Sequence, residues 1–325
     1  MKLHRRLFLR LAAGAAAAPA LARLAWAQAY PSRPVRIIVG FPAGGQIDII
    51  ARLIGQWLAE RLGQQFYVDN RPGAASNIAT EALVRAAADG HTLFLANATN
   101  AVNASLFDKL SFDFIRDTVP IASINRIPLV LEAHPAFPVR TVAELIAHAK
   151  ANAGKVSLAS PPKGTAPFMA AELFKMMSGV DVVRVPYRGS AQMVPDLIGG
   201  QVQVAFDGIS SSIEHIRTGS LRALAVATAA RLEALPEVPT VAESMPGFEA
   251  SGWCGVIAPR STPVEITGKL NQEINAGLAD PRIRSRLADL GVTVLAGSAA
   301  EFGKLIADET EKWGKVIRFA GLKPD

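Results

Sequence analysis

Val35-Arg36-Ile37-Ile38-Val39 runs straight into Gly40-Phe41-Pro42-Ala43-Gly44-Gly45, and then Ile47, Ile50, Ile54, Trp57 and Leu58 recur at helical spacing up to Gly63. The first five residues are nearly all β-branched and apolar, the mark of a buried strand. The glycine- and proline-containing break ends that strand. The following apolar period of three to four residues predicts an amphipathic helix that Gly63 stops. A strand, a glycine-rich turn and a helix in that order make the opening of a β/α unit.

The same grammar continues outward. Phe66-Tyr67-Val68 reads as a strand and Asn70-Arg71-Pro72-Gly73 as a turn; Ser76 to Ala88 reads as a helix and Thr92 to Ala96 as a strand. The alternation predicts a parallel sheet with helices on both faces. It restarts near Pro128 with the strand Leu129-Val130-Leu131, a helix over 142–151 capped by Thr141, the strand Val156 to Ala159 and a helix over 168–177. Strands over 182–185, 202–206 and 221–227 follow, with Ser190 opening a helix between the first two. Pro236, Pro239 and Pro246 mark an irregular connection; Trp253 to Ala258 is a strand, and helices cover 263–279 and 299–319. Two α/β units with the C-terminal part returning to the first predict a two-lobed molecule, with residues 28–127 and 251–325 in lobe 1 and 128–250 in lobe 2. The crossings near Pro128 and Ala250 are the expected hinges, and the cleft between lobes is the expected ligand site.

The N-terminus sets the compartment. Met1 to Arg10 is basic with no acidic residue, Leu11 to Leu24 is rich in alanine and leucine, and Ala25-Trp26-Ala27 has the A-x-A form of a cleavage site. These features predict a secretory signal peptide over residues 1–27, with a mature chain beginning at Gln28 in the periplasm. Arg5-Arg6 before Leu7-Phe8-Leu9 resembles a twin-arginine signal. The apolar run, interrupted by Pro19 and Arg23, is shorter than the roughly 20 residues of a membrane span.

Removing the leader changes the charge argument. The formal balance is +6, from 34 basic and 28 acidic residues. Lys2, Arg5, Arg6, Arg10 and Arg23 leave with the signal, so 29 basic residues face 28 acidic ones, a balance of +1. No basic patch remains to argue for nucleic acid. Cys254, the only cysteine, sits in an apolar run and reads as a buried, inert thiol.

Chemistry concentrates in the loops that leave strands and open helices. The loop Gly40 to Gly45 lets the backbone approach a ligand, and free N–H groups at a helix start attract anions. It lacks the spacing of a phosphate-binding Walker loop or a dinucleotide fingerprint, and a plain tight turn explains it equally well. The arrangement repeats at Ser160-Pro161-Pro162-Lys163-Gly164-Thr165, at Tyr187-Arg188-Gly189-Ser190 and at Phe206-Asp207-Gly208 with Ser210, Ser211 and Ser212 behind it. Ligands of α/β sheets gather at the carboxyl ends of strands, where all these loops belong. Amides and hydroxyls converging on one cleft suit a small carboxylate without any arginine. Asp48 either pairs with Arg52 four residues on or touches the ligand. Asn97, Thr99 and Asn103 either face the cleft or satisfy their own turn. Asp207 has three readings: a ligand amine, an ordered water, or its own loop.

Catalytic constellations are missing from the pattern. His91, His134, His148 and His215 are widely spaced, with no metal-ligand spacing. There is no G-x-S-x-G elbow and no cysteine nucleophile with an evident base, so neither an enzyme nor a cofactor is expected.

From Tyr30 onward the sequence resembles the substrate-binding receptors of tripartite tricarboxylate transporters, the Bug receptors. The stretches that carry the resemblance are Tyr30 to Gly45 with Asp48 and Ala51-Arg52, Asn70 to Ala74, Asp89-Gly90, Val185 to Gly189, Asp196-Leu197 with Gly199-Gly200, Phe206-Asp207, Leu221 to Ala225, Leu235 to Thr240 and Trp313-Gly314. The resemblance implies a two-lobed α/β periplasmic binding protein of type II that closes on a small organic acid and presents it to membrane transporter subunits. It points to Phe41, Pro42, Ala43, Gly44, Ser160, Gly164, Thr165 and Asp207 as ligand contacts; the loops read above add Asn97, Thr99, Tyr187, Gly189 and Ser190. The chain departs from the family at Ala75, Ser76, Ala79 and Thr80, where glycines are usual, and at Pro162 and Phe168. A periplasmic sensor that binds a similar ligand and signals to a membrane kinase needs the same cleft, so it stays open at this point. A monomer is expected.

Overall fold

The structure is a computed structural model that describes residues 30–324; the expected signal peptide lies outside them. Strand β1 (Val35–Val39) pairs in parallel with β2 (Phe66–Asn70) on one side and β3 (Thr92–Asn97) on the other. Helix α1 (Gln46–Leu62) ends at Gly63, whose φ of 72° supplies the left-handed cap. A 3₁₀ turn over Ala74–Ser76 leads into α2 (Asn77–Val84), and α3 (Ala98–Leu106) follows β3 directly.

The organising element is β4 (Thr118–Ala133), one strand that serves two sheets. From Thr118 to Pro128 it runs antiparallel to β9 (Ser251–Pro259), with Pro128 opposite Ser251. From Leu129 to Ala133 its partners are β7 (Val204–Gly208) and β8 (Arg222–Val226), both antiparallel. Beyond β7 lie β5 (Ser157–Ser160) and β6 (Val183–Pro186), in parallel, giving the order β2-β1-β3-β9-β4-β7-β5-β6. The strand expected at 129–131 therefore begins eleven residues earlier. It takes in Pro120 and Asn125 at irregularities in its pairing with β9, where proline and polar residues are tolerated. The sheet is mixed rather than parallel, since the returning strands β4, β8 and β9 all run against their neighbours.

Helices α4 (Val142–Ala151), α5 (Ala166–Ser178), α6 (Ser190–Ile198) and α7 (Ile209–Arg217) dress the second sheet. After the short α8 (Val241–Ser244) and β9 come α9 (Val264–Ala279), α10 (Pro281–Asp289), the two-residue β10 (Thr293–Val294) on β4, and α11 (Ala299–Ala320). The α10 segment and β10 were not read from the sequence. Separate apolar cores form on the two sheets: Ile37, Ile54, Leu95 and Leu270 in one, Leu131, Phe174, Phe206 and Phe248 in the other. Helix α11 belongs to both. Phe302 and Ile306 pack with Phe94 and Trp253 of the first half, whereas Trp313, Val316 and Ile317 pack with the core of the second. Trp313 Nε1 donates to Glu309 Oε2 at 2.7 Å, so this buried end carries its own polar partner.

Candidate functional site: a cavity ringed by helix starts

A cavity of about 300 Å³ lies where the strand ends of both sheets face each other. Phe41, Gln46 and Ile47 border it from the β1–α1 junction, and Asn97 and Thr99 from the β3–α3 junction. Thr165 and Pro167 come from the start of α5, Ser190 from the start of α6, and Asp207, Ser210 and Ser211 from the β7–α7 junction. Ile127 and Leu129 of β4 and Gly252 and Trp253 of β9 form its back wall.

The helix starts explain what this cavity can hold. Away from the cavity, α4, α8, α10 and α11 each have a side-chain cap, from Thr141, Thr240, Asp280 and Ser298 in turn, whereas α2 and α9 start without one. The helices that open onto the cavity are mostly different. Gly45, Thr165, Gly189 and Gly208 precede α1, α5, α6 and α7, and none supplies a side-chain cap. Only α3 is capped there, by Asn97 Oδ1 accepting from the Thr99 amide at 2.9 Å. First-turn N–H groups left without a side-chain acceptor, with the positive ends of the helix dipoles behind them, form an anion site. No Lys, Arg or His is among the described residues lining the cavity.

Three buried polar atoms of lining residues lack a hydrogen-bond partner: Asn97 Nδ2, Trp253 Nε1 and Asp207 Oδ2. Buried polar groups are normally satisfied, so such a cluster marks a place that expects a ligand or ordered water. The first two are donors and the third is an acceptor. Asp207 Oδ1 accepts from Ser190 Oγ at 2.6 Å. One face of the sheet below Asp207 holds Glu132, fully buried, with Oε1 accepting from Ser212 Oγ at 3.0 Å and Oε2 unpartnered. Burial, with the Asp207 charge nearby, pushes the Glu132 carboxyl up to about 8. Burial also raises Asp207, against the hydrogen bond from Ser190.

Of the residues expected at the site, Phe41, Asn97, Thr99, Thr165, Ser190 and Asp207 border this one cavity. Pro42, Ala43 and Gly44 are exposed on the adjoining loop, and the Gly44 amide donates to Asp48 Oδ2 at 2.9 Å. Asp48 also accepts from Arg52 Nε and Asn70 Nδ2, both at 2.9 Å, which fixes the loop. Burial works against ionisation of Asp48, but its hydrogen bonds with Arg52, Gly44 and Asn70 outweigh that and hold its pKa below the usual range. Asp48 is thus engaged within its own loop. Ser160 is buried behind the cavity, and Gly164 takes a φ of 79° beside Val102 and Leu106. Tyr187 donates to Asp196 Oδ2 at 2.8 Å and borders a neighbouring hollow with Lys163, Arg184 and Arg188; Gly189 is the residue before α6. Asn103 turns away to Ala75 O and Asn77 Oδ1. Sequence reading missed Trp253 and Glu132, each hidden in an apolar strand; the only signal was a polar atom placed in a run with no polar neighbour.

The family description of the tripartite tricarboxylate transporter family receptors matches residues 50–322. The chain belongs to that family. Among receptors of this kind, Protein BugT of Bordetella pertussis is 37% identical over 300 residues, covering 91% of this chain and 92% of BugT. Rpa4515 of R. palustris, solved with adipate, is 35% identical with a TM-score of 0.76, covering 91% of this chain and all of that one. MatC from Rhodopseudomonas palustris, solved with bound malate, is 31% identical with a TM-score of 0.73 over 89% of this chain and all of MatC. The α/β fold is therefore that of the periplasmic binding proteins, and the family is one of solute-binding receptors rather than enzymes.

Proposed function

We propose that this protein is a periplasmic receptor that captures a small organic acid in the cavity and delivers it to the membrane subunits of a tripartite transporter. The observation that carries the reading is the convergence of four helix starts without side-chain caps on a cavity that also holds unpartnered donors from Asn97 and Trp253. A carboxylate is the group such donors fit, and relatives solved with adipate and malate support the class. Phe41, Asn97, Thr99, Thr165, Ser190 and Asp207 border the ligand. Pro42, Ala43, Gly44, Ser160, Gly164, Tyr187 and Gly189 shape the surrounding loops.

Residues 1–27 act as the export signal and the receptor works as a monomer. Residues 28–127 with 251–325 form one lobe, residues 128–250 the other, and closure bends the chain at Pro128 and Ser251, the register partners where β4 passes between sheets. The test is a thermal-shift screen of the chain from Gln28 against mono-, di- and tricarboxylates, amino acids and aromatic acids. A ligand at a hundred times its Kd stabilises the native state by about 2.7 kcal/mol, a readily measured rise in midpoint. No shift across the panel, with folded protein, overturns the reading. Delivery is tested by uptake of the identified acid after deletion of the receptor gene.

A further inference from the structure

The cavity attracts an anion only at close range. Its donors are amides, hydroxyls and helix ends, and its described lining holds no Lys, Arg or His. The mature chain as a whole adds little, with 29 basic residues against 28 acidic ones. The cations stand outside. A second hollow, of about 540 Å³, shares with the cavity the two loops that carry Thr165 and Ser190. Lys163, Arg184 and Arg188 line it beside Pro162 and Tyr187, and no carboxylate is among the described residues that do. Arg184 and Arg188 are exposed, and neither has an ion pair among the described residues. Asp196 meets this wall at the Tyr187 hydroxyl, 2.8 Å away.

The hollow and the cavity are joined through short stretches of backbone. Pro162, in the wall of the hollow, accepts from the Thr165 amide at 3.3 Å and from its hydroxyl at 2.7 Å, and Thr165 borders the cavity. Arg188 stands two residues before Ser190, so their Cα atoms are at most about 7 Å apart. That is within the roughly 8 Å over which charges act at physiological salt. Arg184 lies over the Phe168 ring, 5.4 Å from its centroid, which orients the guanidinium near the start of α5. Charges of one sign lining a concavity focus the field and raise association rates by about 10- to 1,000-fold. Resting on the receptor reading above, we infer that this hollow is an encounter site: Arg184 and Arg188 draw the anionic ligand to the edge of the cavity and set its association rate, without holding it once it is bound.

Stopped-flow binding tests this, with succinate, malate and adipate as probes beside the acid that gives the largest shift in the thermal panel. The signal is the fluorescence of Trp253 at the cavity wall. For the wild type the association rate should fall about tenfold between about 10 mM and about 500 mM sodium chloride, while dissociation changes little. At the lower salt, Arg184→Gln with Arg188→Gln should associate about five- to tenfold more slowly, dissociate at the wild-type rate and respond little to salt. Arg188→Glu should be slower still than Arg188→Gln. If the double variant is less stable, Arg188→Gln alone decides, since it leaves Arg184 stacked on Phe168. A wild-type rate indifferent to salt, an association rate that the variants leave unchanged, or a loss that falls on dissociation overturns the inference and leaves the receptor reading in place. Lost uptake with both rate constants intact also overturns it, and assigns the arginines to docking an acidic partner. If no acid binds, the receptor reading falls and this inference with it.

Discussion

Gly40 lies so close to Ser76 that a Cβ built on Gly40 would stand 1.8 Å from Ser76 Oγ and 2.5 Å from Ser76 Cβ. The contact ties the loop at the end of β1 to the turn before α2, and Asn100 Nδ2 reaches Ser76 Oγ from α3 at 3.5 Å. Gly40→Ala should therefore lower stability by about 1–3 kcal/mol, the usual cost of forcing an atom into a packed site. Gly40→Ala with Ser76→Gly should recover most of that loss in a urea titration. A double variant as unstable as the single one would show that the clash is not the cause.

The turn beside that contact is strained. Ala74, Ala75 and Ser76 all have positive φ, at 45°, 50° and 76°, a conformation that suits glycine better than alanine or serine. Ala75 is exposed, so its side chain makes little packing that a glycine would lose. Ala75→Gly should stabilise the protein by up to about 1 kcal/mol, relief of left-handed strain outweighing the added freedom of the unfolded chain. A fall in the melting midpoint would contradict it.

Glu132 gives stability a pH signature. Its pKa is raised from 4.5 to about 8 in the folded protein, so the unfolded chain gives up this proton at lower pH than the native one does. Stability is then fully present below about pH 4.5 and declines as pH rises toward about 8, at up to about 1.4 kcal/mol per pH unit from this group. The acids held low by ion pairs and amides, Asp117 and Glu243 at about 2, act in a lower window and in the opposite sense. Glu132→Gln should flatten the decline between pH 5 and 8 in urea titrations, and an unchanged slope would assign it to other groups.

Trp253 offers a test of the donor end. Its ring packs edge-on against Phe302 at 5.6 Å between centroids, and its N–H has no partner. Trp253→Phe keeps most of the ring and removes the donor. Ligand affinity should drop about 5- to 10-fold, near 1 kcal/mol for one hydrogen bond, while the midpoint of the ligand-free protein moves little. Unchanged affinity would remove Trp253 from the site.

The legible part of this protein was its periodic part. The β1–α1 unit, the caps at Thr141 and Gly63, and the loops at strand ends all follow from local rules, because one helix turn or one alternating strand is enough to declare them. Strand β4 was half hidden, since a strand that changes partners at Pro128 contains residues that suit neither sheet taken alone. The site was legible as a set of loops but not as a set of roles. Asn97, expected either at the cleft or in its own turn, has one atom for each: Oδ1 caps α3 and Nδ2 is left over at the cavity. Glu132 shows locally only as a lone acid in an apolar run; the register that puts it on the same face as Asp207 gives it meaning.

Helix α11 is a connecting rod pinned at both ends. Its 22 residues make it about 33 Å long, so turning one end by about 10° would carry the other about 6 Å sideways. Neither the slot around Phe302 nor the one around Trp313 has room for such a swing, because packed interiors yield by fractions of an ångström. For the closure proposed above, a rod held this way favours rotation about an axis that passes close to the helix itself, with the cavity opening and shutting on the far side like a clasp.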